Sequence, residues 1–210
     1  MKLAACAGSC LAALVSVAHA PALAEGPELS FTATIATELI ASGESLTRDR
    51  PGAELVAGIE AQGFFTEVEL RTLRIDDNRW EVVGLLGYRR EIDDIQLELG
   101  VARAWADRSG SGDTDVSAGI EWAADARWTL GFVAAYAPRP RDWVDVVLTA
   151  DYELDDRTTI SGAVGRVPAD RRNYANLGAS YALTDQLEAD VRYHRSRKIG
   201  HRMVLSLIVN

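Results

Sequence analysis

From residue 29 onward the chain alternates apolar and polar side chains in about twelve stretches of roughly ten residues, the length at which a tilted strand crosses an outer membrane. In one such stretch Tyr174, Asn176, Gly178 and Ser180 occupy one face and Ala175, Leu177, Ala179, Tyr181 and Leu183 the other. A period of two means a strand lying between two different environments. The same alternation predicts strands over Leu29–Ile40, Ala53–Glu60, from Phe64 to Arg71, around Trp80–Tyr88, and over Ile95–Val101 and Asp115–Trp122. It continues over Trp128–Tyr136, Val144–Glu153, Thr158–Val167, Tyr174–Leu183, Leu187–His194 and Met203–Val209. Thr158–Val167 is the least regular of these, and Pro138 and Pro140 end the strand before them.

The polar parity is heavily charged. It carries Glu38, Glu54, Glu60, Glu67, Glu69, Glu81, Glu98, Asp115, Glu121, Asp145, Asp151, Glu188 and Asp190, joined by Arg71 and Arg192. A soluble sandwich core would not accept that density unpaired, so this face must meet water or partners. The fifteen side chains are therefore candidates for the lining of a pore, and an acidic lumen favours cations. The competing reading is a sealed barrel whose interior carboxylates pair with arginines for stability alone.

Connection lengths give the strands a direction. With the first strand rising from the periplasm, tight turns near Gln62, Asp93, Asp125, Asp156 and Thr184 fall on one side, and longer connections on the other. Asp76, Asp77 and Asn78 mark one of the latter. Trp80, Tyr88, Trp105, Trp122, Trp128, Tyr136, Tyr152 and Tyr181 sit at or near strand ends on the apolar parity, where interfacial aromatic girdles lie. The expected fold is all-β: a closed antiparallel transmembrane barrel of about twelve strands in an up-and-down meander, preferred over a soluble β-sandwich or jelly roll. Closure also leaves no backbone donor unpaired in lipid.

Composition alone, 48% hydrophobic and 25% charged over 210 residues, would pass for a soluble domain, because alternating strands dilute their apolar signal. The first residues change that picture. Lys2, the apolar run Leu3–Val17 and the Ala22-Leu23-Ala24 cleavage pattern read as an export leader over residues 1–24, followed by the barrel over 25–210. Cleavage after Ala20 is disfavoured by Pro21, and Leu3–Cys6 lacks the apolar run a lipoprotein signal needs. Cys6 and Cys10 leave with the leader, so neither disulfides nor thiolate metal sites are expected.

The net charge is −9, and loss of Lys2 makes the remaining chain more acidic still, which argues against nucleic acid as a partner. His194 and His201 are too few to form a metal site with the spacing present, so no metal or cofactor is expected. His194-Arg195-Ser196 is similar to the His-x-Ser pattern of outer-membrane lipid A deacylases. Its parity nevertheless turns His194 inward, away from a lipid substrate, so an enzyme is not expected. Gly110-Ser111-Gly112 reads as a loop turn without the lysine and helix of a phosphate site. No loop looks long enough for a substantial folded plug; Ala41–Gly52, with Arg48, Asp49 and Arg50, is the candidate for partial constriction.

Several segments also resemble the TorF family of outer-membrane porins, over most of the chain beyond the leader. The most specific are Gly43-Glu44-Ser45, Pro51-Gly52-Ala53-Glu54-Leu55-Val56-Ala57-Gly58-Ile59-Glu60 and Gln62-Gly63-Phe64-Phe65. Others are Trp80-Glu81-Val82-Val83-Gly84-Leu85-Leu86-Gly87-Tyr88, Tyr136-Ala137-Pro138, Leu177–Tyr181 and Arg202–Leu207. Ile40-Ala41-Ser42-Gly43 departs from the family's aromatic-Arg-Gly step, and Asn210 stands where it has a terminal aromatic.

The resemblance implies a porin. Together with the parity argument, the expectation is passive diffusion of small hydrophilic, cationic solutes across the outer membrane of a Gram-negative bacterium. Outer-membrane lipid and the barrel-assembly machinery are the expected partners. A non-conducting structural or adhesive barrel is the alternative, and a lipid-modifying enzyme a distant third.

Overall fold

The structure is a computed structural model that describes residues 26–75, 77–138 and 143–210. The leader read over residues 1–24, Asp76 and Pro140 lie outside the described residues. The strands are β1 (Glu28–Ala36), β2 (Ile40–Ala41), β3 (Glu44–Ser45), β4 (Gly52–Ala61), β5 (Phe64–Thr72), β6 (Trp80–Ile92) and β7 (Ile95–Ala106). They continue as β8 (Gly110–Ala123), β9 (Trp128–Ala137), β10 (Trp143–Asp155), β11 (Thr158–Val167), β12 (Arg172–Thr184), β13 (Leu187–Ser196) and β14 (Gly200–Val209).

Twelve of these strands close into a barrel in chain order, every pair antiparallel, with β1 joining β14; β2 and β3 form a separate two-stranded hairpin. The fold is thus the meander barrel that the alternation predicts. Tight turns connect the strands at the end nearest both described chain ends. At Gln62-Gly63 both residues have positive φ (54° and 80°), as a two-residue hairpin turn requires. Gly63 could not carry a side chain even apart from its φ, because a Cβ there would run into the carbonyl oxygen of Arg89.

The apolar parity faces outward. Leu29, Met203, Leu99 and Leu86 are each more than 60% exposed, a burden that water penalises and lipid does not. Aromatics mark both borders of this band: Trp80, Trp105, Tyr136 and Tyr193 at one end, and Phe64, Tyr88, Trp122, Trp128 and Tyr181 at the other. On β6, Trp80 and Tyr88 stand about 27 Å apart along the strand, or about 20 Å along the membrane normal at a tilt of ~40°. That matches the apolar band of a transmembrane barrel.

Three expectations change. The first strand ends at Ala36 rather than Ile40, because the chain bends at Thr37 and turns inward. Gly110–Gly112 is not a loop turn: Asp107–Ser109 make the turn, and Gly110, at φ 80°, opens β8 across from Ala106. The connection 37–51 is also far from an open loop. Leu39, Ala41 and Leu46 are buried against Ala36, Leu73, Ala106 and Val204, with Ile40 and Ile75 packed beside them. This is the main apolar cluster, and it lies in the mouth opposite the tight turns. A segment too short to form a domain becomes a plug by borrowing the barrel's inner wall as its core.

Candidate functional site

The site is the barrel interior, whose side chains come from the polar parity of every strand. Its strands place Glu54, Glu60, Glu67, Glu69, Arg71, Glu81, Glu98, Asp115, Glu121, Asp145, Asp151, Glu188, Asp190 and Arg192 on the inner face, each buried or half-buried. Glu38 is inside as well, but from the inward-folded connection rather than from a strand.

Three arginine-centred clusters organise this wall. On β5 and β6, Arg71 holds Glu69 at 2.8 Å through Nη1 and clasps Glu81 through Nε (2.8 Å) and Nη2. Arg71 and Glu81 are each 2% exposed, so this pair is sealed from bulk water. Nearer the tight-turn end, Arg89 bonds Glu60 at 2.9 Å and Glu98 at 2.9 Å, its guanidinium 4.8 Å from the centre of the Phe65 ring. On the opposite wall Arg192 donates to Asn176 (2.9 Å), Ser161 (2.7 Å) and Asp190 (3.0 Å). Asp151 faces Ser161 across the β10–β11 pairing and so completes that cluster.

Between the Arg71 and Arg89 clusters lies a cavity bordered by Glu67, Glu69, Arg89, Glu98, Glu121 and Val56. Its wall mixes carboxylates with Val83, Leu85 and Val133, a lining that a hydrated solute could wet along one side.

At the far mouth the plug is tied by polar contacts on all sides. Ser42 Oγ donates to Asp145 at 2.6 Å, and Tyr174 Oη donates to the same carboxylate at 2.9 Å. Glu44 accepts from Arg172 at 2.8 Å and from Lys198 at 2.9 Å, while the carbonyl of Gly43 accepts from Ser196. Arg202 reaches Asp49 at 2.8 Å and Glu38 at 3.6 Å. The constriction predicted over Ala41–Gly52 therefore exists, but as a folded plug. Its interior charges are Glu38 and Glu44, whereas Arg48 and Arg50 are exposed.

Sequence reasoning overlooked Arg89, Arg172 and Arg202, the cations that complete the clusters. Arg89 lies on the inward parity of β6 and was findable by continuing the alternation past Tyr88. Arg172 and Arg202 precede the apolar runs that flagged their strands, so strand ends drawn at Tyr174 and Met203 excluded them. Ser196 spends its hydroxyl on Gly43, and His194 faces inward beside Asn176 and Arg202; the pair opens on the plug rather than on lipid. Among the described residues no cluster of three metal-ligating side chains occurs.

A closed twelve-stranded barrel with a charged interior and an aromatic-bordered apolar exterior defines a transmembrane β-barrel. Solved porins share this architecture. The chain is similar to the KdgM porin at a TM-score of 0.68 and 11% identity, covering 86% of this chain and 98% of that one. It is similar to a KdgM porin in complex with disordered oligogalacturonate (TM-score 0.66, 10% identity, 86% and 98% covered) and to the NanC porin (TM-score 0.60, 12% identity, 86% and 98% covered). At such identities the likeness concerns the fold. No protein-family model matches the chain, and no curated protein is similar to it in sequence.

Proposed function

We propose that this chain is an outer-membrane porin that passes small hydrophilic solutes and prefers cations, its lumen lined by the fifteen inward residues named above. The observation that carries this reading is the charge balance of the interior. Arg71 is shared by Glu69 and Glu81, and Arg89 by Glu60 and Glu98, so each guanidinium is already answered by more than one carboxylate. Glu54, Glu67, Asp151 and Glu188 take part in none of the ion pairs among the described residues, and they leave the wall with a negative surplus. A ring of carboxylates raises the local concentration of cations and repels anions. The KdgM porin has been seen with oligogalacturonate, a polyanion. In this chain the interior carries a negative surplus, which favours positively charged solutes.

Residues 1–24 act in this reading as an export leader cut after Ala24, and residues 25–210 reach the outer membrane through the barrel-assembly machinery. The segment resemblances noted above favour a TorF-type porin. No catalytic chemistry is assigned.

The test is conductance. In planar bilayers under a salt gradient, the folded protein is expected to give discrete steps with a reversal potential of cationic sign. Replacing Glu67 and Glu69 by Gln should move that potential toward zero, and folded protein without steps would sink the proposal.

One observation favours a second reading, a non-conducting barrel: the tied plug lies in the mouth. Removing the plug separates the two. A porin conducts before and after its removal, a sealed barrel only after it.

A further inference from the structure

The geometry points to a binding site for phosphorylated lipid on the outer wall, at the rim where β11 to β14 emerge on the plug side. This site rests on the outer-membrane reading above, but not on conduction. The chain is acidic overall, yet here Arg166, Arg195 and Arg197 are all exposed, with His201 exposed beside Arg195. Arg166 and Arg195 lie on the outward parity of β11 and β13, and Arg197 begins the turn above. None of the three side chains takes part in an ion pair or hydrogen bond among the described residues. The outward positions around them, Val164, Ala175 and Asn173, carry no carboxylate, and Asp170 nearby is held by Arg172 at 3.3 Å.

Depth decides what would neutralise these charges. Tyr193, one of the rim aromatics, is the next outward residue below Arg195, about 7 Å along the strand. Met203 stands beside it and Val191 and Leu205 below, all in the apolar band. The guanidiniums therefore stand one step above the aromatic girdle, at the level of lipid head groups. A cation held there without a protein partner loses part of its hydration unless an anion meets it. Guanidinium matches phosphate in bidentate geometry, and three of them, on the two strands that flank β12 and on the turn after β13, fit a head group bearing more than one phosphate. Across the barrel Arg74, Arg79, Arg103 and Arg108 are exposed near Trp80 and Trp105, but there Asp77 and Asp107 stand among them, and Asp107 accepts from the backbone of Arg79.

The experiment uses the full barrel in phosphatidylcholine nanodiscs doped with bis-phosphorylated lipid A, with retained lipid counted by native mass spectrometry. Replacing Arg166, Arg195 and Arg197 together by Gln is expected to weaken lipid A retention about tenfold or more, and the triple Lys variant, which keeps the charge but not the two-pronged hydrogen bonding, recovers only part of that loss. Replacing Arg127 and Arg157, in tight turns at the other end, should leave retention unchanged. Gel mobility of unheated and heated samples reports folding of every variant, so loss of the fold is read separately from loss of the site. Equal retention by wild type and the Gln variant would overturn the proposal, as would equal retention of dephosphorylated lipid A. Displacement of the lipid by millimolar inorganic phosphate would also overturn it, as the mark of a simple phosphate site. A barrel that binds lipid A but gives no channel steps would refute the porin reading and leave this one standing.

Discussion

At the scale of single residues, the interior is held by a few side chains with large consequences. Arg71 is sealed between two carboxylates, so its truncation leaves Glu69 and Glu81 as uncompensated buried charges. The expected cost of Arg71→Ala is about 3–5 kcal/mol, read from urea unfolding in micelles; replacing Arg71, Glu69 and Glu81 together by apolar residues of similar size should cost much less. Glycines work differently. Gly165 on β11 lies under the ring of Tyr174 and Gly87 on β6 under the ring of Phe65, so a Cβ at either position would run into the aromatic. The bare backbone at Gly165 lets Tyr174 lie flat and hand its hydroxyl to Asp145. Gly165→Ala should push the ring away and loosen the tie to Ser42. We expect a loss of about 1–3 kcal/mol and a larger open-channel conductance, measured on single channels.

At the scale of elements, the connection 37–51 has two jobs. It narrows the mouth, and it covers the part of β14 that β1 does not reach. Pairing between β1 and β14 covers only Ala33–Ala36 against Ser206–Val209, and beyond it Thr37 bonds the backbone of Leu205 in both directions (2.9 and 3.1 Å). Val204 then packs into the plug's cluster. Replacing residues 40–47 by a short Gly-Ser link is expected to raise conductance about twofold or more and to lower the temperature of the heat-dependent gel shift. A rise in conductance with an unchanged midpoint would show that the plug carries no structural load. Gly43 belongs to this element: its φ is 71°, and a Cβ there would meet Tyr174 and Ser196, so the hairpin tip can enter the wall only as glycine.

At the scale of the whole molecule, the short β1–β14 seam is where the barrel opens most readily, since nine residue pairs join β1 to β4 and four join it to β14. Ile35 and Leu207 face each other across the seam on the lipid side. The chain has no cysteine beyond Cys6 and Cys10, so in protein expressed from residue 25 the I35C/L207C pair has no competing thiol. Oxidation of that pair should add about 2–4 kcal/mol and raise the gel-shift temperature, and reduction should reverse it. No gain would mean that opening begins elsewhere.

What was legible at each scale follows from the range of the interactions. Alternation is local, so the strands, their inward and outward faces, the two aromatic borders and the hairpin turn at Gln62-Gly63 could be read from neighbouring residues alone. Strand count and closure followed because a membrane leaves no edge unpaired. The inward plug was not legible. Leu39, Ile40 and Ala41 continue an apolar pattern that reads as more strand, and only contact with Leu73, Ala106 and Val204 turns them into a core. Nor could the partners of Glu44 or Ser42 be foreseen, since Lys198 and Asp145 lie more than a hundred positions away along the chain. By itself the sequence determined a barrel with an acidic inside, because side-chain direction in a strand depends only on parity. Tertiary structure alone decided which carboxylates are answered by arginine and what lies in the mouth, because those depend on which distant strands closure brings face to face.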